Sequence, residues 1–318
     1  MKNNLFYIIK KTALENLAWM AIKNTICEKI LVYLSSKPLI RKKLKIGAIA
    51  MTYLSLLDKP EYRKADLDKY KIFVNIAEYL GIYLYFFKQN PEDFSAYLVS
   101  KLLVNSDTCI DVGANMGSYT LLMASKVGES GKVIAFEPNP NLYPTLMESI
   151  FINKIQKFVS VEKLAVSSKY GDNIKFYCSN NLHNSGTSSL INHGVYVNEE
   201  DYIVVDTIDL DSYFQKNFIE KCKLIKIDVE RAELGVLEGM ASILKRQGVA
   251  YILIEQLAGS ESQHLLESFG YSGWLIDETQ KCLVNNKQVS YNFFGNFLFV
   301  APIYLDEFKN KHFDILQS

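Results

Sequence analysis

Asp107-Thr108-Cys109-Ile110-Asp111-Val112-Gly113-Ala114-Asn115-Met116-Gly117, followed by Phe136-Glu137-Pro138-Asn139-Pro140, decides how this chain is read. The first run is a short apolar strand ending in a glycine turn, after which Ser118-Tyr119-Thr120-Leu121-Leu122 starts a helix. The second closes the strand Lys132–Phe136 with a carboxylate and stops it with proline. Strand, glycine turn, helix start and a carboxylate on the next strand make a nucleoside-binding βαβ unit. Gly113 lets the chain turn sharply, and Gly117 lets backbone approach a ligand. The first N–H groups of the helix face whatever the turn holds. The two oxygens of Glu137 can accept both hydroxyls of a ribose, with Pro138 beginning the turn beside it.

The glycine spacing departs from a dinucleotide fingerprint, which needs G-x-G-x-x-G to seat a pyrophosphate on the helix N-terminus. After Gly113 the other two places hold Asn115 and Ser118. Asp111 adds a carboxylate, which suits a cation better than a phosphate. S-adenosylmethionine carries a sulfonium and an ammonium and no phosphate, so it fits this unit. Asn115 serves either that ligand or only the turn, where asparagine is common.

A third run, Lys226-Ile227-Asp228-Val229-Glu230-Arg231-Ala232-Glu233, follows in order. Together the three runs resemble the FkbM family of S-adenosylmethionine-dependent methyltransferases, from about residue 103 to about residue 302. The resemblance implies an α/β class I methyltransferase fold, a Rossmann-like, mostly parallel sheet whose last strand, residues 296–300, enters antiparallel. It also places Ala165 beside the adenine, completing a cofactor set of Asp111, Gly113, Asn115, Gly117, Glu137, Pro138 and Ala165. The family's third motif reads K-I-D-x-E-G-x-E. Arg231 stands where glycine is expected, which bears on the backbone path and the substrate fit beside Glu230.

In an extended strand Lys226, Asp228 and Glu230 point to one side, and Ile225, Ile227 and Val229 to the other. Ionised groups inside a sheet cost several kcal/mol unless paired or at its end, so the three belong at the carboxyl edge. Asp228 or Glu230 is then the available general base for a hydroxyl acceptor, while Lys226 holds a carboxylate ionised or stabilises developing negative charge. The bland reading is that Asp228 caps the helix from Arg231 and Glu230 favours its N-terminus. Glu233 is placed to orient Arg231.

Residues 170–206 interrupt the alternation of strands and helices. Ile174–Tyr177 and Tyr202–Val205 alternate like hairpin strands around the polar stretch 179–189, which reads as an acceptor-binding loop or an ordinary solvent loop. His183, Asn184 and Arg231 are the candidate substrate ligands, with His183 also a second candidate base.

Length and charge frame the rest. At 318 residues, 49% of them apolar, the chain exceeds one ordinary domain. The expected division is a helical, basic region over 1–100, a methyltransferase domain over 101–305 and a tail over 306–318. Residues 46–103 read as mostly helical, with helical spacing from Ala65 to Tyr85 and a helix start at Pro91-Glu92-Asp93. Five scattered cysteines suggest neither a disulfide framework nor a metal site.

The net charge is zero, yet residues 1–45 carry +8. Apolar residues recur there at helical spacing, so the segment suits a helical cap on the domain or a peripheral contact with an anionic membrane. No run is long enough to span a bilayer, and no cleavable leader is read, so the expected compartment is the cytoplasm, or its membrane surface. Nucleic acid is not expected as a partner, because no basic groove interleaved with aromatics is seen.

The resemblance and the polar loop favour O-methylation of a hydroxyl on a sugar, glycan or glycolipid. The alternatives are an N- or C-methyltransferase of the same fold acting on another small molecule or a protein, and a non-catalytic module that keeps the cofactor fold as a scaffold.

Overall fold

A computed structural model describes residues 15–44, 46–179, 181–192 and 200–316. Contacts divide the chain into two units, residues 1–91 with 181–185, and residues 92–180 with 186–318.

In the first unit the described chain begins with helices over 15–23, Thr25–Ser35, Pro38–Leu44 and Ile46–Ser55. Asn24 separates the first two because its side chain accepts the N–H groups of Ile26 and Cys27, capping the second helix. Ala18, Ala21 and Leu31 turn inward. Glu28 also turns inward, where its carboxylate accepts from Arg63 Nε at 2.9 Å and from the Tyr85 hydroxyl at 2.8 Å.

The expected helix over Ala65 to Tyr85 is a correction. Those residues begin in an antiparallel hairpin of β1 (Tyr62–Asp66) and β2 (Lys71–Asn75). Ile72 and Val74 are fully buried on one face of β2, a period-two pattern in β-branched residues that outweighs the overlapping three- and four-residue spacing. Helix resumes only at Tyr79–Ile82 and passes into a π-helical turn, Tyr83–Phe87.

The second unit is built on a nine-stranded sheet. Its parallel part is β3 (Thr108–Val112), β4 (Lys132–Phe136), β5 (Val159–Glu162), β9 (Cys222–Ile227) and β10 (Val249–Leu257). A separate three-stranded sheet joins β6 (Ala165–Val166), β7 (Gly171–Tyr177) and β8 (Tyr202–Ile208), with β7 and β8 forming the expected hairpin. Beyond β10 come β11 (Ser272–Asp277), β12 (Cys282–Asn285), β13 (Phe294–Val300) and β14 (Ile315–Leu316). The order across the large sheet is β14-β12-β11-β13-β10-β9-β3-β4-β5. β13 lies antiparallel between β10 and β11, as expected of the last major strand in a class I methyltransferase fold. β12 and β14 extend the edge and were not foreseen.

Strand alternation sorts side chains between two cores. Cys109, Leu224, Tyr251, Leu253 and Leu298 pack on one face with the helices Asp93–Leu102 and Ser118–Val127. Ile110, Ile225, Ile252, Ile254 and Phe297 pack on the other. The helix expected from Arg231 is two short helices, Glu233–Glu238 and Ala241–Lys245, with Gly239 and Met240 between them. Because β3 and β9 are adjacent and parallel, their carboxyl ends, carrying the first and third motifs, meet at one edge.

Candidate active site

The glycine turn is held from two sides. The Phe136 carbonyl accepts the N–H groups of both Gly113 and Ala114, and Asp228 N–H donates to the Val112 carbonyl at 3.0 Å. Gly113 has φ +81°, and a Cβ there would collide with the Asp228 carbonyl oxygen. This glycine is therefore demanded by the neighbouring strand end as well as by the turn. Gly117 has φ +90°, and its bare face meets the Leu146 side chain, so its smallness also serves helix packing.

Glu137 is buried, with Oε2 accepting Asn115 N–H and Oε1 accepting Asn139 N–H, each at 2.8 Å. Each carboxylate oxygen has two lone pairs, so both keep one for a further donor. Burial pushes its pKa up to about 7 against those two hydrogen bonds. Asn115 takes φ +52°, and its Oδ1 accepts Met116 N–H at 2.7 Å, so its side chain serves the turn. Pro138 is half-buried next to these groups in the chain.

Asp111 is 1% exposed; its Oδ2 accepts the Thr120 hydroxyl at 2.6 Å, while Oδ1 has no hydrogen-bond partner among the described residues. Burial raises its pKa, and Lys226 opposes that rise. A buried carboxylate oxygen in need of a donor and a half-satisfied Glu137 fit a ligand that is cationic at one end and a ribose at the other.

Lys226 is directly across from Asp111 in the β3–β9 register. Its Nζ lies 2.7 Å from Asp228 Oδ2 and over the Tyr119 ring at 4.8 Å. Burial would lower its pKa, but Asp228, Asp111 and Glu92 outweigh that and raise it, so Lys226 is a fixed cation. β9 ends at Ile227, so strand alternation does not carry Glu230 to the site. The chain instead turns through left-handed Glu230 (φ +53°) and Arg231 (φ +74°). The left-handed turn explains the family's glycine at the position of Arg231. Ala232 precedes the helix without a side-chain cap, so Asp228 is not capping it. Glu233 accepts the backbone N–H of Arg231 at 3.0 Å and steadies the turn rather than the guanidinium. The Arg231 side chain is exposed.

One oxygen from each of Asp228, Glu230 and Glu255 lies within 4.8 Å of the others. Burial, then Asp228 and Glu233, pushes Glu230 up to about 7; burial, then Asp228 and Glu92, pushes Glu255 up to about 9. Sequence reading missed Glu255, although it closes the apolar run Ala250 to Ile254 as Glu137 closes its own strand. It also missed Ser189. That buried hydroxyl lies 2.7 Å from the Glu230 carbonyl and 3.0 Å from that of Val229, bracing the left-handed turn.

Ala165 is buried with Phe176 and Val205 in the core of the small sheet. His183 and Asn184 fall in the first unit, where His183 Nδ1 is 2.7 Å from the Ala77 carbonyl and the His183 carbonyl accepts Tyr79 N–H.

The methyltransferase FkbM domain matches residues 111–272, just over half of the chain. The chain belongs to the FkbM methyltransferase family. Residues 111–272 thus form an S-adenosylmethionine-dependent methyltransferase domain of the class I fold. The chain is 32% identical over 153 residues to the hexuronic acid methyltransferase AglP of Haloferax volcanii, and 27% identical over 154 residues to the methyltransferase sdnD of Sordaria araneosa. These alignments take in 48% and 41% of this chain, and 57% and 59% of the two relatives. Among solved structures, the FkbM methyltransferase of Methylobacillus flagellatus aligns at 14% identity over 69% of this chain and 52% of that one, with a TM-score of 0.42.

Proposed function

We propose that the protein transfers a methyl group from S-adenosylmethionine to a hydroxyl of a sugar, glycan or glycolipid. The observation carrying this reading is the junction of the glycine-turn site with the Asp228–Glu230–Glu255 carboxylates at one sheet edge. Glu137 takes the ribose hydroxyls on its spare lone pairs, and Asp111 offers an oxygen to the cationic end. When bound, S-adenosylmethionine supplies an electrophilic methyl on sulfur, and alignment of an acceptor oxygen with it provides most of the rate. Asp228 or Glu230 accepts the hydroxyl proton, and the Lys226 ammonium pairs with Asp228 beside them. The likeness to a hexuronic acid methyltransferase supports a sugar acceptor.

The carboxylate cluster would serve an amine as well, so the position of the methyl group is part of the test. Mass spectrometry of surface glycans, with and without the protein, should show a methyl ether that disappears with it. Titration with S-adenosylmethionine should give binding that Glu137→Ala weakens at least about tenfold, the loss of one or two charge-assisted hydrogen bonds. Binding indifferent to that substitution would overturn the cofactor reading. Binding without any methylated product would favour a scaffold.

The basic segment supports a second element of the reading, peripheral contact with anionic lipid. Leu17, Trp19, Met20, Ile26, Ile30 and Tyr33 are exposed among Lys23, Lys29 and Lys37, while Glu28 is turned inward. No helix among the described residues is long and apolar enough to cross a membrane. Co-sedimentation with phosphatidylglycerol vesicles, absent with phosphatidylcholine and lost in Trp19→Ser/Ile30→Ser, would bear this out. Equal recovery from both vesicles would sink it.

A further inference from the structure

The carboxyl edge of β10 carries an apolar surface that the chemistry above leaves unused. Glu255 and Leu257 share a face of β10, and across the antiparallel register they lie opposite Asn296 and Phe294. Leu257, the last residue of β10, is 41% exposed and Phe294, the first of β13, 50%, although the interiors of both strands are core. The ladder runs on past the strand ends, with Ala258 N–H donating to the Phe293 carbonyl and Asn292 N–H to the Ala258 carbonyl. It brings Tyr291, 73% exposed, over the bare backbone of Gly259, where a Cβ would collide with its ring.

Two residues along a strand span roughly 7 Å, so the Leu257–Phe294 pair sits about one sugar-ring width from the Glu255–Asn296 pair. A pyranose has this same division, a rim of hydroxyls and a face of C–H groups. Aromatic and aliphatic side chains take the C–H face by dispersion and by removing it from water, and carboxylates accept from the hydroxyls. A purely apolar occupant would bring no hydrogen-bonding group to Glu230 and Glu255, whereas Asp228 already has Lys226.

We propose that Phe294 and Leu257, with Tyr291 beyond them, form a platform for the C–H face of the acceptor's pyranose ring, presenting a ring hydroxyl to the Asp228–Glu230–Glu255 carboxylates. The proposal deepens the sugar-acceptor reading and rests on it. Phe293, which precedes β13 and packs over Gly295, provides an internal control.

Saturation-transfer NMR with methyl β-D-glucopyranoside and methyl β-D-glucuronide tests it on the full chain. The wild type should pass saturation mainly to the axial ring protons of one sugar face. Phe294→Ser should cut that transfer at least about fivefold, Phe294→Tyr should retain it, and Phe293→Ser should leave it unchanged. S-adenosylmethionine affinity, measured on the same samples, should be equal in all four proteins and reports that each is folded. Transfer that persists in Phe294→Ser, or no transfer to either glycoside in the wild type, overturns the platform. Loss of cofactor binding in the wild type instead defeats the methyltransferase reading, and the glycoside result is read independently of it.

Discussion

Lys226 Nζ lies 2.7 Å from Asp228 Oδ2 while its backbone pairs directly across from Asp111, so one buried ammonium serves carboxylates from two motifs far apart in sequence. Removing the ammonium takes away the cation on which Asp228, Asp111 and Glu92 all act. Lys226→Met should destabilise the second unit by about 3 kcal/mol, because breaking a buried pair strands a charge. Urea denaturation followed by tryptophan fluorescence would measure it. A change below about 1 kcal/mol would show that no carboxylate is stranded when Lys226 is lost.

Glu255 sets a pH dependence whose sign follows from its environment. Burial first, then Asp228, Glu92 and Glu230, raises its pKa from 4.5 to about 9, with Lys226 opposing. The folded state therefore holds its proton more tightly than the unfolded state. The associated stability is full below 4.5 and is lost as pH rises towards about 9. Glu255→Gln should flatten the decline of melting temperature across that window. A slope identical to wild type would assign the decline to Glu137, Glu230 or Glu233, each raised to about 7 mainly by burial.

Arg231 occupies a left-handed conformation at φ +74°, which costs a side-chain-bearing residue about 1 kcal/mol relative to glycine. Arg231→Gly is expected to raise stability by about that amount, partly offset by the greater freedom of glycine in the unfolded chain. Differential scanning calorimetry would register an upward shift. A fall would mean that the exposed guanidinium makes a compensating contribution.

Ser189 braces the same turn from the polar loop. Ser189→Ala removes the donor to the Glu230 carbonyl and should cost about 1–2 kcal/mol, while lowering methyl transfer more than cofactor affinity. Isothermal titration and a turnover assay on the same preparation would separate the two effects. An equal loss in both would place Ser189 in general folding rather than in positioning Glu230.

The sites differ in how legible they were. Asp111, Gly113 and Glu137 could be read because their jobs are local: a strand end, a turn and a strand end again. Gly117 has a further demand on it that was not legible, since the Leu146 side chain that meets its bare face comes from another helix. Glu255 carried a signal, an acidic residue closing an apolar run, but nothing in sequence says which strand β10 will lie beside. The hairpin over Tyr62 to Asn75 was hidden because helical and extended periods coincide in so short a stretch.

By itself the sequence determined the βαβ unit, since apolar runs of strand length punctuated by Gly113, Gly117 and Pro138 leave the backbone few other paths. It also determined the motif set by which the FkbM family is known. Only the tertiary structure decided that Glu255 joins Asp228 and Glu230, that Ser189 holds the Glu230 turn, and that His183 binds the Ala77 carbonyl. The reason is physical: strand pairing and loop docking are chosen by the burial and hydrogen bonding of the whole chain, and no local pattern encodes that choice.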